Sequence, residues 1–430
     1  MKKKFNLFVF TFVCCLSVLC CNVFAAENNG TEAISVIIDG ERITFDQEPV
    51  IINDRTMVPM RKIFETLGAD VNWHEENSTI TASKGMIDVR FTIDGSAYSI
   101  NGIQVYLDSP PVILNGRTML PVRAVAECFG CDVNWDSDTA TVTIDSAELQ
   151  TLKITNPDGY AQYYGEVVNG KANGYGVMQI FDDGKSANNE SADDTDNDGI
   201  TLVGIFEDNE LIDGSVIYMS DGLYHLENTS GDSYIGGMEN GLFHGYGVFY
   251  FDNGDRYEGD WENGDRQGQG IYYFDNGDRY EGNYENGTPQ GQGIYYYNNG
   301  DRYEGNWENG IMSGQGIGYY SDGGRYEGNW ENDLRNGQGI CYYPNGDRYE
   351  GNWENDIRSG QGIYYYNNGD RYGGNWENDN RHGYGTYYWA DGEKYEGNWK
   401  NDNQHGYGTS YYADGTIAYS GYWENGYPVN

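Results

Sequence analysis

The fold is decided by residues 257–279, which read YEGDWENGDRQGQGIYYFDNGDR, and by residues 280–302, which repeat them as YEGNYENGTPQGQGIYYYNNGDR. The period of 23 residues continues from Tyr234 to a shortened last unit that begins at Tyr419. A fixed period of this length is the signature of a repeat protein, in which each unit packs mainly against its neighbours. We therefore predict a one-dimensional array over residues 234–430.

Each unit has the alternating pattern of a β-strand pair. Tyr257, Gly259 and Trp261 alternate with acidic residues, so we expect them on one face of a first strand. Gly259 leaves room for a neighbouring ring to lie over the backbone. Residues 271–274, which are apolar or aromatic, are the expected second strand.

Glycines mark the expected turns. Gly268 and Gly270 are expected to reverse the chain between the two strands, because glycine adopts positive φ freely. Asn276-Gly277 is expected to lead into the next hairpin, since Asn-Gly favours tight hairpin turns. A single hairpin is only marginally stable in water, so the units should stack edge to edge into one sheet. The predicted fold of this part is an all-β array of stacked antiparallel hairpins.

These units resemble MORN repeats, whose motif is Y-x-G-x-W-x-x-G-x-x-H-G-x-G with a later D-G. The resemblance covers residues 234–430, and residues 146–233 look like divergent copies of the same unit. It implies a rod-like, non-catalytic scaffold for protein interaction or self-association. Phospholipid binding is a less favoured implication, because a typical unit holds more Glu and Asp than Arg and would repel anionic lipid.

Residues 34–145 hold one pattern twice, at an offset of 62 residues. PVIINDRTMVPMR at residues 49–61 returns as PVILNGRTMLPVR at residues 111–123. In each copy a helix of about ten residues should follow the second proline and stop at a glycine. The two copies, about 34–83 and 96–145, are therefore predicted to form an α+β domain from a duplicated strand–helix–strand unit.

The duplicated pattern carries a recognisable signature. N-G-R-T-x-x-P-x-R, followed by a helix and G-x-x-V-x-W, resembles the copper amine oxidase N-terminal-like domain, a stalk module of secreted bacterial proteins. Pro59 and Pro121 are expected in the first helical turn, and Gly68 and Gly130 at the helix ends. The resemblance implies a module that itself holds neither copper nor the quinone of the oxidase.

The residues needed for amine oxidase chemistry are missing from the sequence. That chemistry uses three His ligands for copper, two of them as His-x-His, and an Asn-Tyr-Asp/Glu quinone precursor. The chain has five His residues and no His-x-His pair. The triplet 283–285 reads Asn-Tyr-Glu, but it stands where neighbouring units have Asn-Trp-Glu and so belongs to the repeat. We predict no enzyme activity and no catalytic residues.

The first 25 residues have the pattern of a secretory signal. Three lysines precede a long apolar run, and Val23-Phe24-Ala25 offers small residues for cleavage. Residues 26–33 would then be a linker to the first domain. We predict a bacterial protein that is secreted or associated with the cell envelope. An uncleaved anchor, or a lipoprotein modified at Cys20 or Cys21, remains as an alternative.

An acidic insertion occupies residues 186–199. Asp194, Asp196 and Asp198 have the D-x-D-x-D-G spacing of calcium loops, in which alternating carboxylates converge on the cation. The twelfth position is Ile205 in place of a bidentate Glu, and no flanking helices are apparent. A solvated acidic loop and a weak Ca²⁺ site both stay open, and no other cofactor is expected.

Cys128 and Cys131 form a C-x-x-C whose counterparts in the first copy are Thr66 and Ala69. Their separation at a helix end brings the Cα atoms within the range of a disulfide. A structural disulfide and two small packing residues are both compatible with the sequence. A catalytic redox pair is not expected, because no thioredoxin-like βαβ pattern surrounds the two cysteines.

Two columns of aromatic residues recur along the array. The candidate ligand-binding column is Tyr250, Tyr273, Tyr296, Tyr319, Tyr342, Tyr365, Tyr388 and Tyr411. The second column is Trp261, Tyr284, Trp307, Trp330, Trp353, Trp376 and Trp399. Either column can stabilise the sheet by cross-strand stacking. A sheet has two faces, however, and a thin rod cannot bury both.

Three kinds of partner follow from these features. A protein partner or end-to-end self-association through the edge at residues 419–427 is favoured by the resemblance and by the exposed strand edge. A cell-envelope glycan is the alternative, because flat rings beside Asn and Glu suit sugar faces. The formal net charge of −41 argues against nucleic acid and anionic membrane as partners.

Overall fold

The computed structural model describes residues 33–156, 159–182 and 199–429. The predicted signal at residues 1–25 lies outside the described residues. Within them, a duplicated N-terminal domain is followed by one very long sheet. None of the helices described is long and apolar enough to span a membrane.

The N-terminal domain contains the same series of elements twice. The first series is β1 Ser35–Ile38, β2 Glu41–Arg42, β3 Val50–Ile52, β4 Arg55–Pro59, α1 Met60–Thr66, β5 Asp70–His74, a 3-10 turn Glu75–Asn77 and β6 Thr79–Lys84. After β7 Ile87–Thr92, the second series is β8 Ala97–Ile100, β9 Ile103–Tyr106, β10 Val112–Leu114, β11 Arg117–Pro121, α2 Val122–Glu127, β12 Asp132–Asp136 and β13 Thr141–Asp145.

The two copies are interleaved in one domain. β4 and β11 pair antiparallel, with Val58 opposite Leu120, so both β-hairpins join in one four-stranded sheet. β1 of the first copy pairs in parallel with β13 of the second, with Val36 opposite Val142. On the other side, β7 lies between β6 of the first copy and β8 of the second. Each copy therefore completes a sheet of the other.

The domain is mostly β with two short helices, which corrects the expected α+β strand–helix–strand unit. α1 has 7 residues and α2 has 6, where about ten were expected. Pro59 and Pro121 are the last residues of the paired strands β4 and β11, so each helix starts one residue later than predicted. Gly68 and Gly130, with φ of 82° and 73°, follow the helix ends as expected.

The residues described between 150 and 429 form a single antiparallel sheet of 24 strands in sequence order, which confirms the predicted hairpin array. Its first strands, in the divergent region, are β14 Gln150–Asn156, β15 Gly159–Val168, β16 Lys171–Asp182, β17 Ile200–Glu207, β18 Glu210–Ser220 and β19 Leu223–Asn228. The regular units begin with β20 Ser233–Glu239, β21 Leu242–Tyr250, β22 Arg256–Glu262, β23 Asp265–Tyr273, β24 Arg279–Glu285, β25 Thr288–Tyr296, β26 Arg302–Glu308, β27 Ile311–Tyr319 and β28 Arg325–Glu331. They continue with β29 Leu334–Tyr342, β30 Arg348–Glu354, β31 Ile357–Tyr365, β32 Arg371–Glu377, β33 Asn380–Tyr388, β34 Lys394–Lys400, β35 Asn403–Tyr411, β36 Ile417–Glu424 and β37 Tyr427–Val429.

The turn within a unit lies earlier than the sequence suggested. Asn263 and Gly264, with φ of 52° and 91°, connect β22 to β23. Gly268 and Gly270 lie inside β23, so the prediction that they form the turn was wrong. Gly268 has a φ of 66° and belongs to a bulge, in which residues 267–269 lie opposite Asp260 alone.

The turn between units contains Asn276-Gly277, as the sequence indicated. The Phe274 N–H donates to the Asp278 carbonyl at 3.1 Å, and the Gly277 N–H donates to the Phe274 carbonyl at 2.9 Å. Gly277 has a φ of 88°. Each unit is thus a bulged hairpin closed by a two-residue turn at one end and linked by a longer turn at the other.

Aromatic rings lying on glycines form the core of the array. A Cβ atom on Gly270 would lie 2.3 Å from the Tyr257 hydroxyl, and one on Gly259 would lie 2.6 Å from it. The Trp261 ring stands edge-on to the Tyr257 ring, with the centroids 5.1 Å apart. Tyr257 is fully buried and Trp261 is 4% exposed. The second aromatic column is therefore core, which leaves the opposite face of the sheet as the candidate surface.

The N-terminal domain docks on the early part of the array. Gln104 Nε2 donates to the Gly264 carbonyl at 3.0 Å, and the Phe243 N–H donates to Gln104 Oε1 at 2.8 Å. The Ser96 hydroxyl donates to Asp265 Oδ2 at 2.6 Å. One hydrophobic cluster runs from the domain into the array. These contacts hold the domain near β21–β23, so it lies at an earlier part of the array than the units that follow β23.

Candidate binding groove

The face opposite the aromatic core, which we call the open face, is polar and accessible. Strand alternation separates its side chains from Tyr257 and Trp261. In the hairpin β22–β23, the side chains of the open face are Arg256, Glu258, Asp260, Gln269, Ile271 and Tyr273. Equivalent residues recur in the following units, so the open face is a set of parallel rows.

A groove runs along the open face between residues 292 and 386 and has a volume of about 1460 Å³. Glu304, Glu327 and Glu350 line it at equivalent positions of successive units. Ile317 and Ile340 lie between these carboxylates. The groove therefore presents alternating charged and apolar groups to anything that lies along the array.

Cations stack on tyrosines and pair with glutamates in one repeated arrangement, which we call the cation row. The Arg256 guanidinium lies over the Tyr273 ring, 4.3 Å from its centroid, and its Nη1 is 2.9 Å from Glu258 Oε1. The same cation, glutamate and tyrosine recur as Arg279–Glu281–Tyr296, Arg302–Glu304–Tyr319, Arg325–Glu327–Tyr342, Arg348–Glu350–Tyr365 and Lys394–Glu396–Tyr411.

The candidate ligand-binding tyrosines form a single row on the open face. From Tyr273 to Tyr411 each ring has a cation over one of its faces. Tyr250 and Tyr388 have the largest exposed fractions of the row, 41% and 37%. A ligand can therefore reach the ring edges and the cations, but one flat face of these rings is already occupied.

Amide side chains form another row that sequence reasoning missed. Gln315 Nε2 donates to Asn329 Oδ1 on the next strand. Asn306 Nδ2 donates to the Gln315 carbonyl at 3.2 Å. The same Gln-to-Asn bond joins Gln269 to Asn283, Gln292 to Asn306, Gln338 to Asn352 and Gln361 to Asn375. The sequence does contain a signal for this row of amides. Asn recurs directly before the Trp position, and Gln recurs between the paired glycines.

Hydrogen bonds on the open face favour the ionised form of Glu396. The Lys394 ammonium, 3.1 Å from Glu396 Oε2, and the Tyr384 hydroxyl, 3.1 Å from Oε1, hold the pKa of this carboxyl below its ordinary value. Partial burial acts in the opposite direction but is the weaker effect. Glu396 is thus paired with a cation of its own strand.

The sequence also predicted a weak Ca²⁺ site and a cysteine pair. Asp194, Asp196 and Asp198 lie outside the described residues, and in the described part no three His, Cys, Asp or Glu side chains are grouped to hold a metal ion. Cys128 and Cys131 are buried free thiols at the end of α2. Burial raises the pKa of Cys131 to about 11 and also raises the pKa of Cys128 well above its ordinary value. Their pairing in an oxidising compartment stays a prediction.

Comparison with known families matches both parts of the chain. Residues 37–144 match the copper amine oxidase N-terminal domain. The MORN repeat matches residues 163–185, 234–256, 257–279, 280–302, 303–325, 326–348, 349–371, 372–394 and 395–417. The predicted arrangement of a stalk domain followed by MORN repeats is confirmed. Neither matched family is a catalytic domain, so the matched parts of the chain are those of a non-catalytic repeat protein.

Similar proteins cover parts of the chain. A protease inhibitor from Brevibacillus choshinensis is 29% identical over 142 residues, which are 32% of this chain and 42% of that protein. This chain therefore spans less than half the length of that relative. Among solved structures, the TCP10 domain of Danio rerio CPAP in complex with a peptide of Danio rerio STIL is 13% identical, with a TM-score of 0.29, over 49% of this chain and 100% of that one. Virginiamycin B lyase from Staphylococcus aureus is 11% identical, with a TM-score of 0.12, over 66% and 88%.

Proposed function

We propose that this chain, which joins a copper amine oxidase N-terminal domain to an array of MORN repeats, is a scaffold outside the cell that binds a partner protein. The partner would lie along the groove of the open face. The pattern of a secretory signal at residues 1–25 supports the location. The groove of the open face supports the binding role.

The observation that carries the proposal is the repetition of the groove from unit to unit. Each unit spans two strands, so equivalent groups recur about every 10 Å along the array. An extended polypeptide can meet an amide, a carboxylate and an isoleucine such as Ile317 in each of the three units from residue 303 to residue 371. Many weak contacts of this kind add up to useful affinity without any single deep pocket.

A protein ligand fits this surface better than a sugar. Stacking on sugar needs free aromatic faces, but the Trp column is core and the Tyr row is covered by cations on one side. The relative from Brevibacillus choshinensis is called a protease inhibitor, a function exerted on a protein. A cell-envelope glycan remains the second candidate because Tyr250 and Tyr388 are exposed.

The proposal is tested with paired substitutions in the same two strands. Ile317→Arg and Ile363→Arg place bulky cations in the groove. Ile311→Arg and Ile357→Arg make the same chemical change in β27 and β31 at the turn edge, where the side chains are 38% and 39% exposed. The measurement is co-sedimentation of the mature protein with whole bacterial cells, with protease-shaved cells and with purified wall.

We expect the unsubstituted protein to be retained on whole cells and not on protease-shaved cells. Retention on whole cells should fall at least tenfold for the groove variant and should not fall for the edge variant. Equal retention of the groove and edge variants would contradict binding in the groove. Retention on purified, protein-free wall would reassign the ligand to a glycan. No retention on any of the three materials would reject a partner in the cell envelope.

A further inference from the structure

The cation row is interrupted at one unit. Six of its members, from Arg256 to Lys394, pair with a glutamate two residues further along the same strand. Arg371 stands at the equivalent position of β32, but the residue two positions later is Gly373. Among the described residues, no carboxylate lies within ion-pair distance of Arg371. The sequence shows the cause as YGGNW at 372–376, where the neighbouring unit has YEGNW.

The side chain of Arg371 is nevertheless held in the same place as its equivalents. Its guanidinium carbon lies 4.2 Å from the centroid of the Tyr388 ring, against 4.3 Å for Arg348 over Tyr365. Arg371 also has Tyr365 as its neighbour on the preceding strand. The cation is therefore pre-positioned on the open face without the carboxylate that the other units supply.

The space left by the missing glutamate opens into the groove. Gly373 and Ile363 both line the groove, and Ile363 is 39% exposed. A Cβ atom on Gly373 would meet nothing closer than Ile363 Cγ1 at 3.8 Å, an ordinary contact. The gap beside Arg371 is thus real space and not a close approach of backbone.

Neighbouring carboxylates do not fill the gap. On one side of Gly373 in the sheet, the cross-strand neighbour is Ile363, and Glu350 lies one strand further. On the other side the neighbour is Thr386, and Glu396 lies one strand further. Each glutamate is two strands, or roughly 10 Å, away along the sheet. Glu350 is already 2.9 Å from Arg348, and Glu396 is 3.1 Å from Lys394.

We propose that Arg371 and the gap at Gly373 form a carboxylate-binding subsite that receives an acidic side chain of a polypeptide lying in the groove. The identity of that polypeptide as a partner rests on the proposed function, whereas the subsite itself does not. The ligand carboxylate takes the place that the glutamate carboxylate has in the other units. A guanidinium can hold it through two parallel N–H···O bonds. Because each of the other six cations of the row already has a glutamate partner, this single position fixes the register of a segment along an otherwise repetitive surface.

The test titrates the full mature chain with a small probe, so it does not need the partner. The probe is N-acetyl-glutamate N-methylamide, compared with the glutamine analogue and with inorganic phosphate. The readout is the Nε–Hε NMR signal of Arg371 in protein labelled with ¹⁵N-arginine, assigned with Arg371→Lys. We expect a saturable shift of the Arg371 signal with the glutamate probe and none with the glutamine analogue.

Matched variants decide whether the missing glutamate makes the subsite. Gly373→Glu restores the pattern of the other units and should abolish the response, whereas Gly373→Ala should keep it. Glu350→Gly should create the same response at Arg348. A response that survives Gly373→Glu, equal shifts of all the row arginines, or binding of phosphate but not of the glutamate probe would each overturn the proposal. If the probe binds and no cell-surface protein is retained, only the proposed function fails.

Discussion

The hydroxyl of Tyr364 donates a 2.7 Å hydrogen bond to Asp347, a carboxylate of the preceding inter-unit turn that is 8% exposed. The other oxygen of Asp347 accepts the Asn367 N–H at 2.8 Å. Asp347 therefore joins two successive units through a side chain and a backbone group. The same Tyr-to-Asp bond recurs as Tyr272–Asp255, Tyr295–Asp278 and Tyr387–Asp370.

Replacing Asp347 by Ala should destabilise the array around the contact. The change removes three hydrogen bonds, donated by Tyr364, Asn367 and Asn345, and leaves the Tyr364 hydroxyl without its acceptor, which costs about 1–3 kcal/mol. The measurement is the free energy of unfolding by denaturant, with hydrogen exchange of the Asn367 amide as a local readout. Asp391→Ala is the control, because exposed Asp391 accepts a bond from Glu393 within its own turn. Equal losses for both variants would contradict the bridging role.

Acid should weaken the same contacts. Burial opposes ionisation of Asp347, but hydrogen bonds from Tyr364 and Asn367 hold its pKa below the ordinary value of 3.8. The ionised form therefore contributes stability that is complete above the unfolded pKa and is lost as the pH falls through the lower folded pKa. Asp370 has the same direction of shift, with Tyr387 as the side-chain donor.

We expect the Tm to fall between about pH 5 and about pH 2, and Asp347→Asn to flatten this slope because the amide does not titrate. Asp265 gives the contrasting case, since burial raises its pKa beneath the N-terminal domain. Its ionisation costs stability as the pH rises through the raised pKa, so Asp265→Asn should steepen the acid loss. A Tm curve unchanged by either substitution would contradict this assignment.

The Tyr-on-glycine packing makes Gly270 irreplaceable. A Cβ atom there would lie 2.3 Å from the hydroxyl oxygen and 2.5 Å from Cε2 of Tyr257, whose ring is fully buried and cannot move aside. Gly270→Ala should therefore cost about 3 kcal/mol through overpacking. Gly373→Ala, whose Cβ would meet Ile363 at 3.8 Å, should change the free energy of unfolding little. Thermal unfolding of both variants checks the difference, and a tolerated Gly270→Ala would reject the ring-on-glycine core.

The sequence predicts the parts of the fold whose sequence signals have only one structural meaning. The period and the alternation of Tyr257 and Trp261 with acidic residues predicted the sheet and its two faces. Glycine signals a bulge as readily as a turn, so Gly268 was assigned to the wrong role although its positive φ is real. Proline is compatible with both a strand end and a first helical turn, so the start of α1 was predicted at Pro59, one residue too early.

The candidate site was harder to predict than the fold. The Tyr row was found from its recurrence, but stacking of Arg348 on Tyr365 depends on cross-strand register, which only the paired strands reveal. That register turns an apparent stacking surface for sugars into a row of cation–tyrosine pairs. The break at Gly373 was visible in the sequence, yet its meaning depends on knowing that Arg371 points to the same face.

Gln104 makes two of the hydrogen bonds that join the N-terminal domain to the array. Gln104 both accepts from the Phe243 N–H and donates to the Gly264 carbonyl. Gln104→Ala should speed hydrogen exchange of the Phe243 amide severalfold, since about 1 kcal/mol per lost hydrogen bond loosens the docking. Gln47→Ala, which loses a bond to Asn115 inside the domain, should leave that amide unchanged. Unaltered exchange in both would contradict docking through Gln104.

Binding along the groove should depend on the length of the array. Deleting residues 303–348 removes two whole units and keeps the period, so β25 should pair with β30 as it now pairs with β26. A ligand that contacts every unit should then bind more weakly, by avidity, but should not be lost. A ligand held in a single pocket would respond in an all-or-none manner.

Salt separates the two candidate ligands in the same measurement. Unit 303–325 has three acidic residues and one basic residue, a net charge of −2, and unit 326–348 has four and two, again −2. A basic protein partner should therefore dissociate steeply as salt rises, because charges are screened beyond about 8 Å at physiological ionic strength. Aromatic contact with a sugar should respond far less. The measurement is retention on whole cells in low and in high salt, for the intact protein and for the protein that lacks two units. Salt-independent retention that disappears completely on deletion would reject an extended protein ligand, because neither the charge of the units nor their repetition would then determine the binding.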